Sequence, residues 1–265
     1  MRRLVITASM RASLPAPPGA APERGVCRDR TRRKRAGGDA TPRRRGALGR
    51  NEITPVLDVL RREAPTWNVP VVTLIAEQTG DPFRVLISTI LSLRTKDETT
   101  AEASRRLFAR ATTPQTMLLL RAATIARLIY PVGFYRTKAR AIRSACRDLL
   151  DRFGGMVPRD LDALLTLQGV GRKTANLVLT LGFRAPGICV DTHVHRITNR
   201  LGYVRTRTPD ETEQALRRKL PAQHWLEIND LLVAFGQHLC RPISPHCTRC
   251  PVVAYCARRG VTTSR

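Results

Sequence analysis

The sequence predicts an all-α fold. From residue 51 onward apolar residues recur at helical rather than alternating spacing, and β-branched clusters are brief. The periodic runs are joined by short polar connections marked by Pro or Gly. With 265 residues, of which 42% are hydrophobic and only 5% aromatic, the chain has apolar material for one or two cores. A disulfide-stapled miniprotein and a disordered acidic tail are both excluded.

The first 50 residues stand apart. Between Pro15 and Gly49 the chain is built from Ala, Pro, Gly and Arg, with runs Arg32-Arg33-Lys34-Arg35 and Arg43-Arg44-Arg45, and it has almost nothing to bury. Disorder is expected. A nucleic-acid-binding arm, an organelle transit peptide and a nuclear-localisation cluster compete as functional readings, beside a non-functional extension or an early start codon. The apolar stretch Leu4 to Ile6 is too short for a secretory core, and no run approaches the ~18 residues of a membrane span. A soluble, cytoplasmic protein is expected, with organelle or nuclear targeting by the basic N terminus as the alternative.

The helices follow in order. Val56, Leu57, Val59 and Leu60 mark the first; Val85, Leu86, Ile90 and Leu91 mark a second, after the start signal Asp81-Pro82; Leu107 and Phe108 continue the pattern past Glu98. Further helices are indicated by Met117 to Leu120, Ile125 to Tyr130, Ala139 to Phe153 and Leu161 to Leu167, and two more by Asp210 to Cys240, broken at Pro221.

Charge narrows the partner. The chain carries 46 Lys+Arg against 21 Asp+Glu, a net +25. Residues 1 to 50 hold 14 basic groups against Glu23, Asp29 and Asp39, and the other 215 residues keep 32 against 18, so a body of +14 remains without the tail. A polyanion, nucleic acid above all, is the expected partner.

Three segments carry chemistry. In Leu167-Gln168-Gly169-Val170-Gly171-Arg172-Lys173-Thr174-Ala175-Asn176 two glycines stand where the chain must turn sharply between apolar runs. A helix over Lys173 to Leu181 would offer its free N–H groups, with those of Gly169 and Gly171, to a phosphate oxygen: a helix-hairpin-helix pattern. Lys173 is either one more phosphate-pairing lysine or an amine nucleophile, which attacks carbon only when neutral. In Val190-Asp191-Thr192-His193-Val194-His195-Arg196, the D-x-H-x-H spacing invites a metallohydrolase reading. Val194, Ile197 and Leu201 at helical spacing argue against it, since they put the two histidines about 200° apart. Asp191 is then an N-cap at an exposed helix start, or a catalytic carboxylate. Of seven cysteines, Cys240, Cys247, Cys250 and Cys256 form C-x6-C-x2-C-x5-C, which implies metal where thiols stay reduced. Structural zinc sites use two short-spaced pairs; the wider gaps here favour a [4Fe–4S] cubane, which takes one thiolate at each corner. Cys146 and Cys189 read as small core residues, and Cys27 needs no role.

Together, the stretch Leu167 to Leu179, the stretch Val190 to Val194 with Arg196, and the terminal cysteine loop resemble the endonuclease III family of DNA base-excision glycosylases, from about residue 54 to the end. The resemblance implies a six-helix domain over 75–185 and a discontinuous cluster domain over 51–74 and 186–265. It further implies a [4Fe–4S] cluster on Cys240, Cys247, Cys250 and Cys256, Lys173 as nucleophile, Asp191 as essential carboxylate, and contacts to DNA from Gly169, Gly171 and Arg172. The expected activity is that of a monomeric bifunctional glycosylase/AP lyase acting on oxidised pyrimidines or abasic sites in double-stranded DNA, with no membrane partner.

Two departures bear on specificity. The hairpin begins Leu167-Gln168 where the family usually has Leu-Pro, and Arg94 stands where many members have the Gln that fills the gap left by the extruded base. Phe134 matches an apolar wedge position, or is simply core. Three other readings compete: an adenine-mismatch glycosylase, which lacks the lysine and has a further C-terminal domain; a non-catalytic iron–sulfur DNA-binding protein; and the metallohydrolase. With the body at +14, a chain lacking residues 1–50 is expected to retain strand cleavage at low salt and a salt-dependent affinity for DNA, measured by cleavage and binding titrations.

Overall fold

The computed structural model describes residues 48–49 and 52–265, so all but the last few of the expectations for the basic N terminus lie outside the described residues. Twelve α-helices and several short turns of 3-10 helix follow one another, and no strand occurs among the described residues. The order is α1 (Ile53–Glu63), α2 (Val71–Thr79), α3 (Pro82–Ser92), α4 (Asp97–Phe108), α5 (Pro114–Leu119), α6 (Ala122–Ile129) and α7 (Tyr135–Phe153). It continues with α8 (Leu161–Leu165), α9 (Arg172–Leu177), α10 (Thr192–Leu201), α11 (Pro209–Lys219) and α12 (Ile228–His238).

Helix starts are written in the local sequence. Asp81, Thr113, Asp160, Asp191 and Thr208 each accept a hydrogen bond from a first-turn N–H of the helix that follows, and three of these caps precede a proline whose missing N–H costs nothing there. The sequence pattern does not single out α2; its run Val71-Val72-Thr73 looks equally like a strand, and burial against α3 and α4 decides for a helix.

Two apolar cores form. The first is built round α3, whose residues Val85 to Leu91 are all buried although the pattern suggests one apolar face; α3 touches α2, α4, α7 and α9 and is surrounded. The second gathers α1, α10, α11 and α12 with Val252, and it also takes in Leu48, whose carbonyl accepts a hydrogen bond from Lys219 Nζ at 2.6 Å. Composition assigned Leu48 to the unstructured tail, yet an apolar side chain next to a helix start has a core to enter. Cys146 and Cys189 are both fully buried in the first core.

The chain passes between the cores at Ile188-Cys189-Val190, whose side chains enter the second, first and second core in turn. Glu213 of α11 makes the other tie. Its buried carboxylate accepts two bonds from Arg172 (2.8 and 3.1 Å), one from Asn176 (3.1 Å) and one from Arg217 (2.9 Å), joining α9 to α11. Because α3 has no solvent face to absorb a change, Leu86→Ala is expected to lower the unfolding free energy by about 2–5 kcal/mol, read from the denaturant midpoint.

Candidate active site

The turn between α8 and α9 is short and buried underneath. Leu167 and Val170 face the first core, and Gly169 adopts φ +84 with Ala141 so close that an added Cβ would lie 3.0 Å from its methyl. Gly171 differs: its φ is −93 and a Cβ there would meet only open space. No side chain caps α9, so its first-turn N–H groups are left for an acceptor from outside, on the open side at Gly171. The helix expected over Lys173 to Leu181 is α9 followed by a wider π turn at Val178–Gly182, where Thr180 Oγ1 donates back to the carbonyls of Asn176 and Leu177. Arg172 does not reach outward; its guanidinium is held by Glu213 in a two-point pair.

Asp191 and Lys173 converge. Asp191 Oδ1 accepts from the N–H groups of His193 and Val194 at 2.8 and 2.9 Å, which caps α10, while Oδ2 lies 3.5 Å from Lys173 Nζ. Cap and active carboxylate were alternatives in the sequence; one side chain does the first with one oxygen and leaves the second for the amine. The carboxylate is 7% exposed, not at an open helix end, whereas Lys173 is 40% exposed. The D-x-H-x-H triad does not assemble. His193 pairs with Arg196 at 3.1 Å and His195 Nδ1 with Thr212 at 2.6 Å, on different sides of α10. Among the described residues no three His, Cys, Asp or Glu side chains form a site for a single metal ion.

Lys173 and Asp191 open onto a cleft of about 230 Å³, whose walls include Arg94, Asp97, His193 and Asp230. Burial lowers the pKa of His193 and keeps it a neutral partner there, although Asp191 acts in the opposite direction. Beside the cleft Phe134 is 63% exposed, so it is not core, and the Arg94 guanidinium sits 5.7 Å from the centre of its ring. Lys138 of α7 lies beneath: Nζ donates to Leu91 O at 2.8 Å, Leu93 O at 2.5 Å and Thr95 Oγ1 at 3.2 Å. Burial among neutral oxygens lowers its pKa to about 8.

Sequence reasoning passed over Lys138, Glu213 and Asp230. One signal was available, a polar residue at a position where the helical period calls for an apolar one: Lys138 falls on the face of α7 shared with Ala141, Ile142, Ala145 and Leu149.

The four clustered cysteines line one cavity with Ile197, Leu201 and Val252. Buried Arg200 of α10 fastens their loop, donating to the carbonyls of Arg241 and Pro242 at 2.6 Å each, and its guanidinium approaches Cys240 Sγ at 3.5 Å. The backbone N–H of Arg258 donates to Cys256 Sγ at 3.4 Å. Arg196 adds a bond to Cys240 O at 2.9 Å, so the helix capped by Asp191 also carries the loop.

Residues 87–222 match the family model of the HhH-GPD superfamily base excision DNA repair proteins, and the chain belongs to that superfamily. Within it, the chain belongs to the endonuclease III family. Endonuclease III of Thermotoga maritima is 51% identical over 183 residues, 68% of this chain and 86% of that protein. Two solved structures superpose with a TM-score of 0.71 at 35% identity, each covering 79% of this chain. One is a non-covalent endonuclease III–DNA complex, covered over 95% of its length, and the other a trapped endonuclease III–DNA covalent intermediate, covered over 96%.

Asp230 gives the cleft a pH-dependent element. Burial raises its carboxyl to about 6 despite the bond from Thr73 Oγ1 at 2.9 Å, and Glu77 adds to the rise. A carboxyl with a raised folded pKa contributes stability that is complete below its unfolded value near 4 and lost as pH rises through about 6. Asp230→Asn is therefore expected to raise Tm relative to the parent above pH 6 and to lose that advantage near pH 4, in thermal melts across the range.

Proposed function

We infer that this protein is a bifunctional DNA glycosylase and AP lyase of base excision repair, which releases oxidised pyrimidines from duplex DNA and cleaves 3′ to the abasic site. The observation that carries the reading is the 3.5 Å approach of Lys173 Nζ to Asp191 Oδ2 at the wall of a cleft, beside a hairpin with free N–H groups. A base must leave the stack before chemistry can reach its sugar, and the cleft is where it would enter. The hairpin holds a phosphate without reading a base, through the backbone at Gly169 and Gly171; Arg172 supports the turn through Glu213.

As the N-glycosidic bond breaks, positive charge grows on the sugar, and the Asp191 carboxylate stabilises it. The amine of Lys173 attacks C1′ and its proton passes to Asp191, the nearest base. Asp191 returns that proton to the ring oxygen O4′ as the C1′–O4′ bond opens, and the nitrogen lone pair leaves an iminium at C1′, which acidifies the C2′ hydrogens. Removal of one of them expels the 3′ phosphate by cleavage of the C3′–O bond, so strand scission is a β-elimination and not a hydrolysis.

Cys240, Cys247, Cys250 and Cys256 fit a [4Fe–4S] cluster: four thiols are spread round one cavity, which His246 also lines, and Arg200 and the Arg258 N–H aim positive charge at the sulfurs. When bound, the cluster would hold the loop against α10 and take no part in the bond changes. The two cores support two domains, one bearing the hairpin and one the cysteine loop, but the boundary expected between 74 and 75 would cut α2, whose Val71, Val72 and Ala76 all enter the first core, so it falls before Val71 in this reading. The enzyme would act as a monomer on chromosomal DNA in the cytoplasm, and no helix among the described residues is long and apolar enough to cross a membrane.

Borohydride trapping on duplex DNA containing thymine glycol or an abasic site tests the nucleophile. The parent is expected to give a covalent adduct, and Lys173→Ala to lose it by on the order of 10³-fold or more. An undiminished adduct from Lys173→Ala would sink the assignment. Asp191→Asn keeps a good N-cap and removes the charge, so it is expected to fold with a near-parental Tm and lose most activity, while Asp191→Ala loses about 1 kcal/mol of stability as well. A visible absorption band that disappears with Cys250→Ala distinguishes the cluster from colourless zinc.

A further inference from the structure

We propose that Lys138 is a positioning residue for Arg94, holding the turn that presents Arg94 to the cleft. The proposal rests on the function inferred above and on the family resemblance, by which Arg94 stands where the residue filling the gap left by the extruded base is expected.

The turn after α3 has two bonds of its own: Thr95 N donates to Ser92 O at 3.1 Å and Thr95 Oγ1 donates to Leu93 O at 3.2 Å. Arg94 stands at φ +53, a conformation that favours glycine and costs a bulky L-residue of order 1 kcal/mol, so neighbouring structure must impose it. Lys138 supplies that structure. Its ammonium gathers the carbonyls of Leu91 and Leu93 and the hydroxyl of Thr95, three oxygens that flank Arg94 on both sides, and a lysine ammonium has three donors to give. Within the turn Leu93 O has the Thr95 hydroxyl as its donor, and Lys138 adds a bond to it and one to Leu91 O at the open end of the helix. Among the described residues no carboxylate pairs with Lys138, so its charge is spent on the turn and nowhere else.

The same turn is joined to the loop before α7. Gly133 N donates to Thr95 Oγ1 at 3.2 Å, and a Cβ on Gly133 would lie 2.7 Å from Arg94 O, so only glycine permits the approach. Phe134 follows at φ +58 with its ring under the Arg94 guanidinium. Arg94 and Phe134, the two side chains that the resemblance assigns to the space left by an extruded nucleotide, are thus tied to one buried amine, four residues beyond Phe134 on α7.

A double-mutant cycle tests this on the full-length holoenzyme, with KM and kcat for thymine-glycol duplex and Tm measured together. Lys138→Met keeps the length of the side chain and removes the donors; KM is expected to rise about tenfold with kcat within a factor of about three. In the Arg94→Ala background the same change is expected to add nothing to KM, because there is no longer a side chain to place. Lys138→Arg, which keeps charge and donors, is expected to recover most of the KM. Additive losses in the double variant, or a Tm loss with unchanged KM, would overturn the proposal and leave Lys138 as a purely structural residue. If Lys138→Met does not fold, the comparison passes to Lys138→Gln, with the same expectations. An Arg94→Ala variant with parental KM would also overturn it, while Lys173-dependent borohydride trapping in that variant shows separately whether the glycosylase reading stands.

Discussion

One carboxylate with two oxygens in different uses organises this protein. Asp191 Oδ1 is committed to the first turn of α10, and that commitment fixes where Oδ2 points, 3.5 Å from Lys173. An Asp on a free loop would lose side-chain entropy on meeting an amine, and a helix cap has already lost it. The buried position raises the value of every charge near it, since little water screens the pair from the Asp191 side.

The rest of the architecture keeps α9 and α10 in register. Ile188, Cys189 and Val190 pin the connecting segment by alternate burial in two cores, and Glu213 binds α9 to α11 through Arg172, Asn176 and Arg217. At the far end of α10, Arg196 and Arg200 hold the start of the cysteine loop. A loop gathered by a metal cluster would therefore stiffen the very helix whose N-cap faces Lys173.

Much of the fold was legible because helix starts and periods are local properties. Asp81-Pro82, Thr113-Pro114 and Thr208-Pro209 announce their helices through groups only two or three residues apart. The missed α2 has no such cap, since Pro70 precedes it without a side-chain bond, and only contact with α3 and α4 makes its valines helical. The candidate nucleophile and carboxylate were legible as well, through motifs 18 residues apart. Arg172 was legible as a cation but not as one already paired, because its partner lies 41 residues away on α11.

By itself the sequence determined residue chemistry and local conformation: an all-α chain, a basic body, a hairpin with a lysine at its exit, an aspartate at a helix start and four grouped thiols. The tertiary structure alone decided which charges are spent on structure and which are left for a substrate. Glu213 and Lys138 are ionisable residues whose burial and partners come from elements far away in the chain, and Asp191 became two things at once only when α9 packed beside it. Solvation and pairing depend on what surrounds a group in space, and spacing along the chain carries that information only over a helical turn or two.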